Sequence, residues 1–415
     1  MNKENFFKKI YNRLSLEDKC AILIIALSYI YALSYYGFIH TPVKDFLLMI
    51  KPRILEFYSG NFPGKDPLSF QMLPLYPFLL GILTHLNPFK THDTFYHTAL
   101  LLNIALYLPY LIIVYLFLKR FLQPWIAVIA LLFFGLNSYN IFISNNSELE
   151  MVLGFVILLS LYLTIIESRW KYIFSIFPAL GKWDSIFSVP AALFKDFFFK
   201  KEYLKTIIFG ALCTIPTSIW FILSMIHKQS SNHPYIEEYK YRSPVLLEFL
   251  KDCWITASNS ISLNSYELIK TYLKDYKLLK TVLMIFIVLF IVFFIGSLLW
   301  GIFILIRNRF KESSPLFVFL IFFTGIHMVF VATQKRYVAP ILWVLLLFVF
   351  IGIHEGIYGR GKLLLDKISK KIQSYINYSF LGIFSILFTG SLVLLITFQK
   401  TKTMDIIIGF MSVII

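Results

Sequence analysis

The sequence predicts an all-α polytopic membrane protein, and three observations carry that prediction. Of 415 residues, 58% are hydrophobic and 18% aromatic, with a mean hydropathy of +0.73. Apolar runs recur at close to the roughly 20 residues that an α-helix needs to cross hydrocarbon. The basic residues behind the formal charge of +16 sit in short clusters between those runs, as the positive-inside bias expects. Because they form no single face or stripe, the charge speaks for membrane topology and against a nucleic-acid partner.

The first run, 20–39, is too long for a signal-peptide core and lacks a small-residue cleavage site, so it is expected to stay as the first span. Further runs follow at 97–118, 125–143, 150–167, 204–226, 281–306, 315–332, 340–357 and 380–398. Two segments decide the topology. "QMLPLYPFLLGILTHL" (71–86) is short and holds two prolines, and "YIFSIFPALGKWDSIFSVPAALF" (172–194) is interrupted by Lys182 and Asp184.

If both cross once, Lys119, Arg120, Arg169 and Lys171 fall outside, against the charge bias. If 71–86 lies in the outer interface and 172–194 is a hairpin of two short helices, all four move inside. They then join Lys195, Lys200, Lys201, Arg307, Arg309 and Lys311. The second arrangement is preferred: about eleven membrane helices, N-terminus cytoplasmic, C-terminus outside. Each half of the hairpin is only about 17 Å long at 1.5 Å per residue. Its tip, Lys182, Trp183 and Asp184, must therefore be shielded by protein or line a wet cavity.

This topology gathers the first loop (40–96), the junction around Glu148 and Glu150, the Lys182 tip, the long loop 228–280 and the turn "ATQKRYVAP" on the outer face. The chemistry is expected there. In the first loop, Phe46, Leu47, Ile50, Ile54, Leu55 and Phe57 alternate with Lys51, Arg53 and Glu56 at helical spacing, the pattern of an interfacial amphipathic helix. Asp45 begins that segment, either as its cap or as a functional carboxylate. Cys20, Cys213 and Cys253 are far apart, with no spacing of a metal site or disulfide framework.

In this order the pieces resemble a family. Asp45 after the first span, "LPLYPFLLGIL", "NNSELEMVLGFVILLSLYL", "LGKWDSIFSVPAALF" and "QKRYVAPIL" are similar to the GT-C class of integral membrane glycosyltransferases. Within it, they look most like the protein O-mannosyltransferase and lipid A aminoarabinose transferase group. The resemblance covers about Asp45 to Ile357. It implies a GT-C-like transmembrane catalytic module over 1–357, followed at 358–415 by a basic cytoplasmic loop, a last span and a short outer tail. Many relatives carry a large C-terminal periplasmic domain, so acceptor recognition here is expected to rest on loops.

The resemblance also implies the reaction: a sugar leaves a polyprenyl phosphate and passes, with inversion, to an acceptor hydroxyl of a glycan, lipid or protein. Such a transfer needs a carboxylate near the acceptor and cations near the departing phosphate. Asp45 matches the acidic position of the first loop. The second acidic residue common there is replaced by Phe46, which weakens a metal site, although a divalent metal stays open. Glu148 matches the acidic position of the second outer junction, to orient the acceptor or act on the Asp45 pKa; as plain chemistry it also suits the N-terminus of the next span.

Lys182 and Arg336 are the candidate phosphate binders, a point charge and a planar fork. Without that role they are a hairpin ion pair with Asp184 and a snorkelling cation at a helix end. Trp183, Asp184 and Tyr337 are candidate substrate contacts; the two aromatics also suit an interfacial belt. The intramembrane His327 is expected only to pack.

Three other functions compete. A polyprenyl-linked sugar flippase would more naturally show internal repeats and charges near the midplane of several spans, whereas this chain shows no evident repeat and concentrates its candidate residues on one face. An O-antigen ligase or polymerase would use the long loop, with Arg242 and His233 as its best residues. A noncatalytic assembly subunit is the third. Composition rich in Lys, Ile and Phe is compatible with a bacterial inner membrane, with a periplasmic active face; the endoplasmic reticulum stays open.

Overall fold

The computed structural model describes residues 14–36, 46–62, 72–87, 93–226, 277–329 and 341–358. Among the described residues every element is helical. By length and composition, three stretches among the described residues are long and apolar enough to cross a membrane: Thr94–Phe121, Tyr203–Ile226 and Val292–Gly325. Four shorter apolar helices accompany them. The protein is thus an all-α membrane protein. The last predicted span, 380–398, and the loop 228–276 lie outside the described residues.

Helix α1 (Leu16–Tyr36) begins with a capping interaction: the Asp18 amide donates to Ser15 Oγ at 3.2 Å, meeting one of the orphan N–H groups of a first turn. The Asp18 carboxylate also receives Lys119 Nζ at 2.6 Å and Tyr115 OH at 2.8 Å. These contacts fasten the start of α1 to the far end of α4, and the bond from Lys119, above all, holds the Asp18 carboxyl below its usual value of 3.8.

The expected amphipathic helix is present as a π-turn, Phe46–Ile50, running into α2 (Lys51–Tyr58). Pro52 explains the widened turn, since it brings no N–H and crowds the carbonyl four residues back. Its faces differ from a simple alternation. Phe46, Ile50 and Ile54 are buried, Leu47, Leu48 and Leu55 are exposed, and Arg53 is buried with them. Burial of that cation is tolerable because Glu56 meets it at 2.6 Å. Helix α3 (Leu75–Leu86) packs on α2, with His85 stacked on Tyr58 at 4.2 Å.

Helix α4 (Thr94–Phe121) is the central post. Asn103, Tyr107, Tyr110, Leu111, Val114, Phe117 and Leu118 recur three or four residues apart and are all buried, the stripe of a helix packed on its neighbours. The run 125–143, expected as one span, is instead broken into α5 (Pro124–Gly135) and α6 (Ser138–Ser144). Its asparagines account for the break. Asn140 Nδ2 donates to Phe134 O at 2.9 Å, and Asn137 Oδ1 accepts the Asn140 amide at 3.3 Å, so side chains take over backbone groups that a continuous helix would pair.

Helix α7 (Glu150–Ile165) returns along α4. After it, α8 (Lys171–Gly181), a 3₁₀ turn (Trp183–Phe187) and α9 (Ser188–Phe198) form the hairpin that charge bias predicted. Ser188 Oγ donates to Ser175 O at 2.9 Å across it. At its base Asp196 takes Lys171 Nζ and, at 2.6 Å, Tyr172 OH. Lys171 and Asp196 are both buried, a placement charged groups tolerate only when paired.

Helix α10 (Tyr203–Ile226) packs on both hairpin arms and exposes Leu204, Ile207, Leu212, Ile215, Ile219 and Ile226, an apolar outer face suited to lipid. Helix α11 (Lys277–Val329) breaks its helical geometry at Arg309, with φ −136° and ψ 26°. Gly301 before the break and Phe317 after it both meet Phe348 of α12 (Leu342–Tyr358). In a straight helix they would stand about 24 Å apart, so the chain bends back at Arg309. The two predicted spans 281–306 and 315–332 are these two arms.

Candidate functional site

The junction between α6 and α7 is where the structure concentrates buried polarity. Ser144, Asn145, Asn146 and Ser147 are all buried, and their backbone groups need partners that apolar helices do not supply. Asn103, from the middle of the bundle's central post, provides them: its Nδ2 donates to Asn146 O at 2.5 Å and to Glu148 O at 2.8 Å. Tyr76 OH, from the first turn of α3, donates to Ser147 O at 2.8 Å. Asn145 Nδ2 reaches Ala32 O of α1 at 3.1 Å.

The result is a rigid backbone loop pinned by three helices, with Glu148 at its end. The Glu148 carboxylate accepts Asn146 Nδ2 at 2.9 Å. Burial, first, and the adjacent Glu150 and Glu148 push the Tyr76 hydroxyl well above its usual range, so it stays a protonated donor.

Lys182 lies at the same end. It closes α8 in an extended conformation, φ −153° and ψ 142°, and is half-buried. Its neighbour Gly181 fits between α7 and α3: a Cβ there would stand 3.2 Å from Leu153 Cδ1 and 3.4 Å from Leu75 Cδ2. Leu75 precedes Tyr76, which holds the Glu148 loop, and Leu153 lies in the first turn of α7, just after that loop. The start of α3, the segment read from sequence as interfacial, therefore bridges the Glu148 junction and the hairpin tip.

The structure thus packs the segments that carry two of the four principal candidates, Glu148 and Lys182, against the first turn of α3. Trp183 and Asp184 occupy the adjoining 3₁₀ turn. Asp45, Arg336 and Tyr337 lie outside the described residues, as do Arg242 and His233. Among the described residues no group of three or more His, Cys, Asp or Glu comes together to hold a metal ion.

Asn103, Tyr76 and Asn145 are the site residues that the sequence reading missed. A signal existed for Asn103, a lone amide inside an apolar span, where an unsatisfied polar group is costly and a partner is implied. Among the described residues, three buried oxygens of this cluster, Asn103 Oδ1, Asn145 Oδ1 and Ser147 Oγ, have no hydrogen-bond partner, which is unusual for buried polar groups.

Asn103→Ala should lower stability by about 2–4 kcal/mol, since it orphans the buried Asn146 carbonyl, at about 1–3 kcal/mol, and the part-buried Glu148 carbonyl, at roughly 1 kcal/mol. Thermal unfolding of purified protein would report it. An unchanged melting temperature would mean that water or a shifted side chain replaces both bonds.

Compared with protein-family models and with curated proteins, the chain matches none.

Proposed function

We propose that the protein is a GT-C-like membrane glycosyltransferase that moves a sugar from a polyprenyl-phosphate carrier to an acceptor hydroxyl, with inversion. In this reading about eleven helices cross a bacterial inner membrane, the N-terminus is cytoplasmic and the site faces the periplasm. Asp45 is the general base, Glu148 orients the acceptor, and Lys182 and Arg336 hold the departing phosphate. Trp183, Asp184 and Tyr337 line the sugar.

The observation that carries the reading is the meeting of the Glu148 loop and the Lys182 tip around the start of α3. A carboxylate and a cation at one end of the bundle are what a transfer from phosphate to hydroxyl needs: an acceptor for the proton and a positive charge for the leaving group. The pinned loop supports it further, because a catalytic group is useful only when its position is fixed beforehand. Exposed apolar side chains on α10 and on the first arm of α11 supply a lipid-facing flank along which a polyprenyl chain can lie.

The test is the lipid that copurifies with the protein. Mass spectrometry should find a polyprenyl-phosphate-linked sugar, retained by wild type and depleted in Arg336→Ala by about tenfold to a hundredfold, the effect of losing a charge-assisted contact of roughly 1.5–3 kcal/mol. Equal retention in a folded variant would remove Arg336 from the donor site.

A further inference from the structure

At the opposite end of α7 from Glu148 the bundle opens into a cleft of about 640 Å³, within the range of roughly 300–1,000 Å³ of sites that hold small molecules. Four cations line it: Arg120 from the end of α4, Lys195 from α9, and Arg309 and Lys311 from the bend of α11. Two carboxylates, Glu167 and Glu312, face them. The carboxy ends of α4 and α7 add about half a negative charge each, which still leaves the cleft positive.

The carboxylates arrange the cations rather than cancel them. Glu312 accepts Arg120 Nε at 2.8 Å and faces Arg309 Nε at 3.4 Å, so it draws two guanidinium groups to one spot. Among the described residues no bond engages the terminal nitrogens of Arg120, and no ion pair engages Lys311. Glu167 is shared by Lys195 at 3.4 Å and Lys200 at 2.8 Å. Its backbone sits in the left-handed region, φ 57°, a conformation costly for a residue with a side chain. It accepts that conformation while bridging both lysines.

We propose that this cleft binds the phosphate of an anionic phospholipid headgroup. Planar guanidinium forks beside a lysine ammonium match phosphate oxygens, and basic pockets between membrane helices suit anionic headgroups. The wall decides between a lipid and a free phosphate ion. Ile166 and Phe310 line the same cleft and are 43% and 42% exposed, so an apolar surface lies beside the cations. A soluble phosphate has no use for that surface, whereas the glycerol and acyl groups of a phospholipid cover it. The site is independent of the reaction proposed for the Glu148 end.

Native mass spectrometry of the full-length protein tests it, after equilibration with equal amounts of phosphatidylglycerol and phosphatidylcholine in detergent. Wild type should retain phosphatidylglycerol selectively. Lys311→Glu should weaken that retention about tenfold and Arg120→Gln about fivefold, as loss of surface cations predicts. Lys205→Gln, an exposed cation paired with Glu202 elsewhere on the protein, should leave it unchanged. If Lys311→Glu fails to fold, Lys311→Gln gives the same reading with a smaller change. Equal retention of the two lipids, undiminished binding in folded Lys311 and Arg120 variants, or displacement by millimolar inorganic phosphate would each overturn the proposal.

Discussion

Asp45→Asn is expected to abolish sugar transfer, by at least about a hundredfold, while leaving the protein folded and able to hold its lipid donor. An acceptor hydroxyl is a poor nucleophile until a base takes its proton during attack, and asparagine keeps the shape of aspartate without that basicity. The position suits the role. Asp45 directly precedes the π-turn at Phe46, whose side chain is fully buried against the core and meets the Tyr96 ring at 5.7 Å. Phe46, the residue after Asp45 in the sequence, is therefore anchored.

If Asp45 only caps the helix that follows, asparagine caps nearly as well and turnover survives. Glu148→Gln separates the two carboxylates. The glutamine oxygen can still accept the bond from Asn146 Nδ2 that Glu148 accepts at 2.9 Å, so only the charge is lost. A moderate fall in turnover fits an orienting residue. Loss of transfer in Glu148→Gln alone, with Asp45→Asn near normal, would move the base to Glu148.

Gly301→Leu is expected to prevent folding, at a cost above about 4 kcal/mol, which places it among the severe single substitutions. Helices α11 and α12 cross backbone to backbone at this point. A Cβ on Gly301 would overlap the Phe348 carbonyl oxygen, and one on Gly352 would overlap the Ser297 carbonyl oxygen. The overlapped atoms are backbone, which cannot swing aside as a side chain does. The small residues Ser297 and Gly301, four apart on α11, meet Gly352 of α12 at the crossing, the spacing that lets membrane helices approach closely.

Gly296 is the control on the same helix, since a Cβ there meets nothing within 4 Å. Gly296→Leu should leave the yield of folded protein nearly unchanged. Equal behaviour of Gly296→Leu and Gly301→Leu in size-exclusion and thermal-unfolding measurements would mean that the crossing is looser than the geometry describes.

Much of the helical layout was legible in the sequence, because long apolar runs and cation clusters report where a chain meets hydrocarbon and where it leaves. The hairpin is the clearest case: Lys182 and Asp184 inside an apolar stretch required a turn, and α8 and α9 meet on either side of it. The break at Leu136–Asn137 was not legible by hydropathy, since Asn137 and Asn140 are diluted by their apolar neighbours. It depends on side-chain bonds to Phe134 O and the Asn140 amide.

The site was legible only in its charges. Glu148 and Lys182 drew notice as ionisable groups in an apolar chain, but the bridge between them runs through Tyr76, Leu75 and Gly181, residue types that membrane helices use everywhere. The basic cleft was hidden for a related reason. Its cations come from three separate segments, each of which reads as an ordinary topology signal until the bend at Arg309 brings them together.

The central claim, transfer of a sugar from a polyprenyl-phosphate carrier, is tested most directly with purified protein in liposomes. The donor carries a labelled sugar, and membrane glycolipids and peptides serve as acceptors. The account predicts that wild type moves the label from the carrier to an acceptor hydroxyl with inverted anomeric configuration, and that Asp45→Asn does not. A label that stays on its carrier, whether untouched or merely moved across the bilayer, would contradict it.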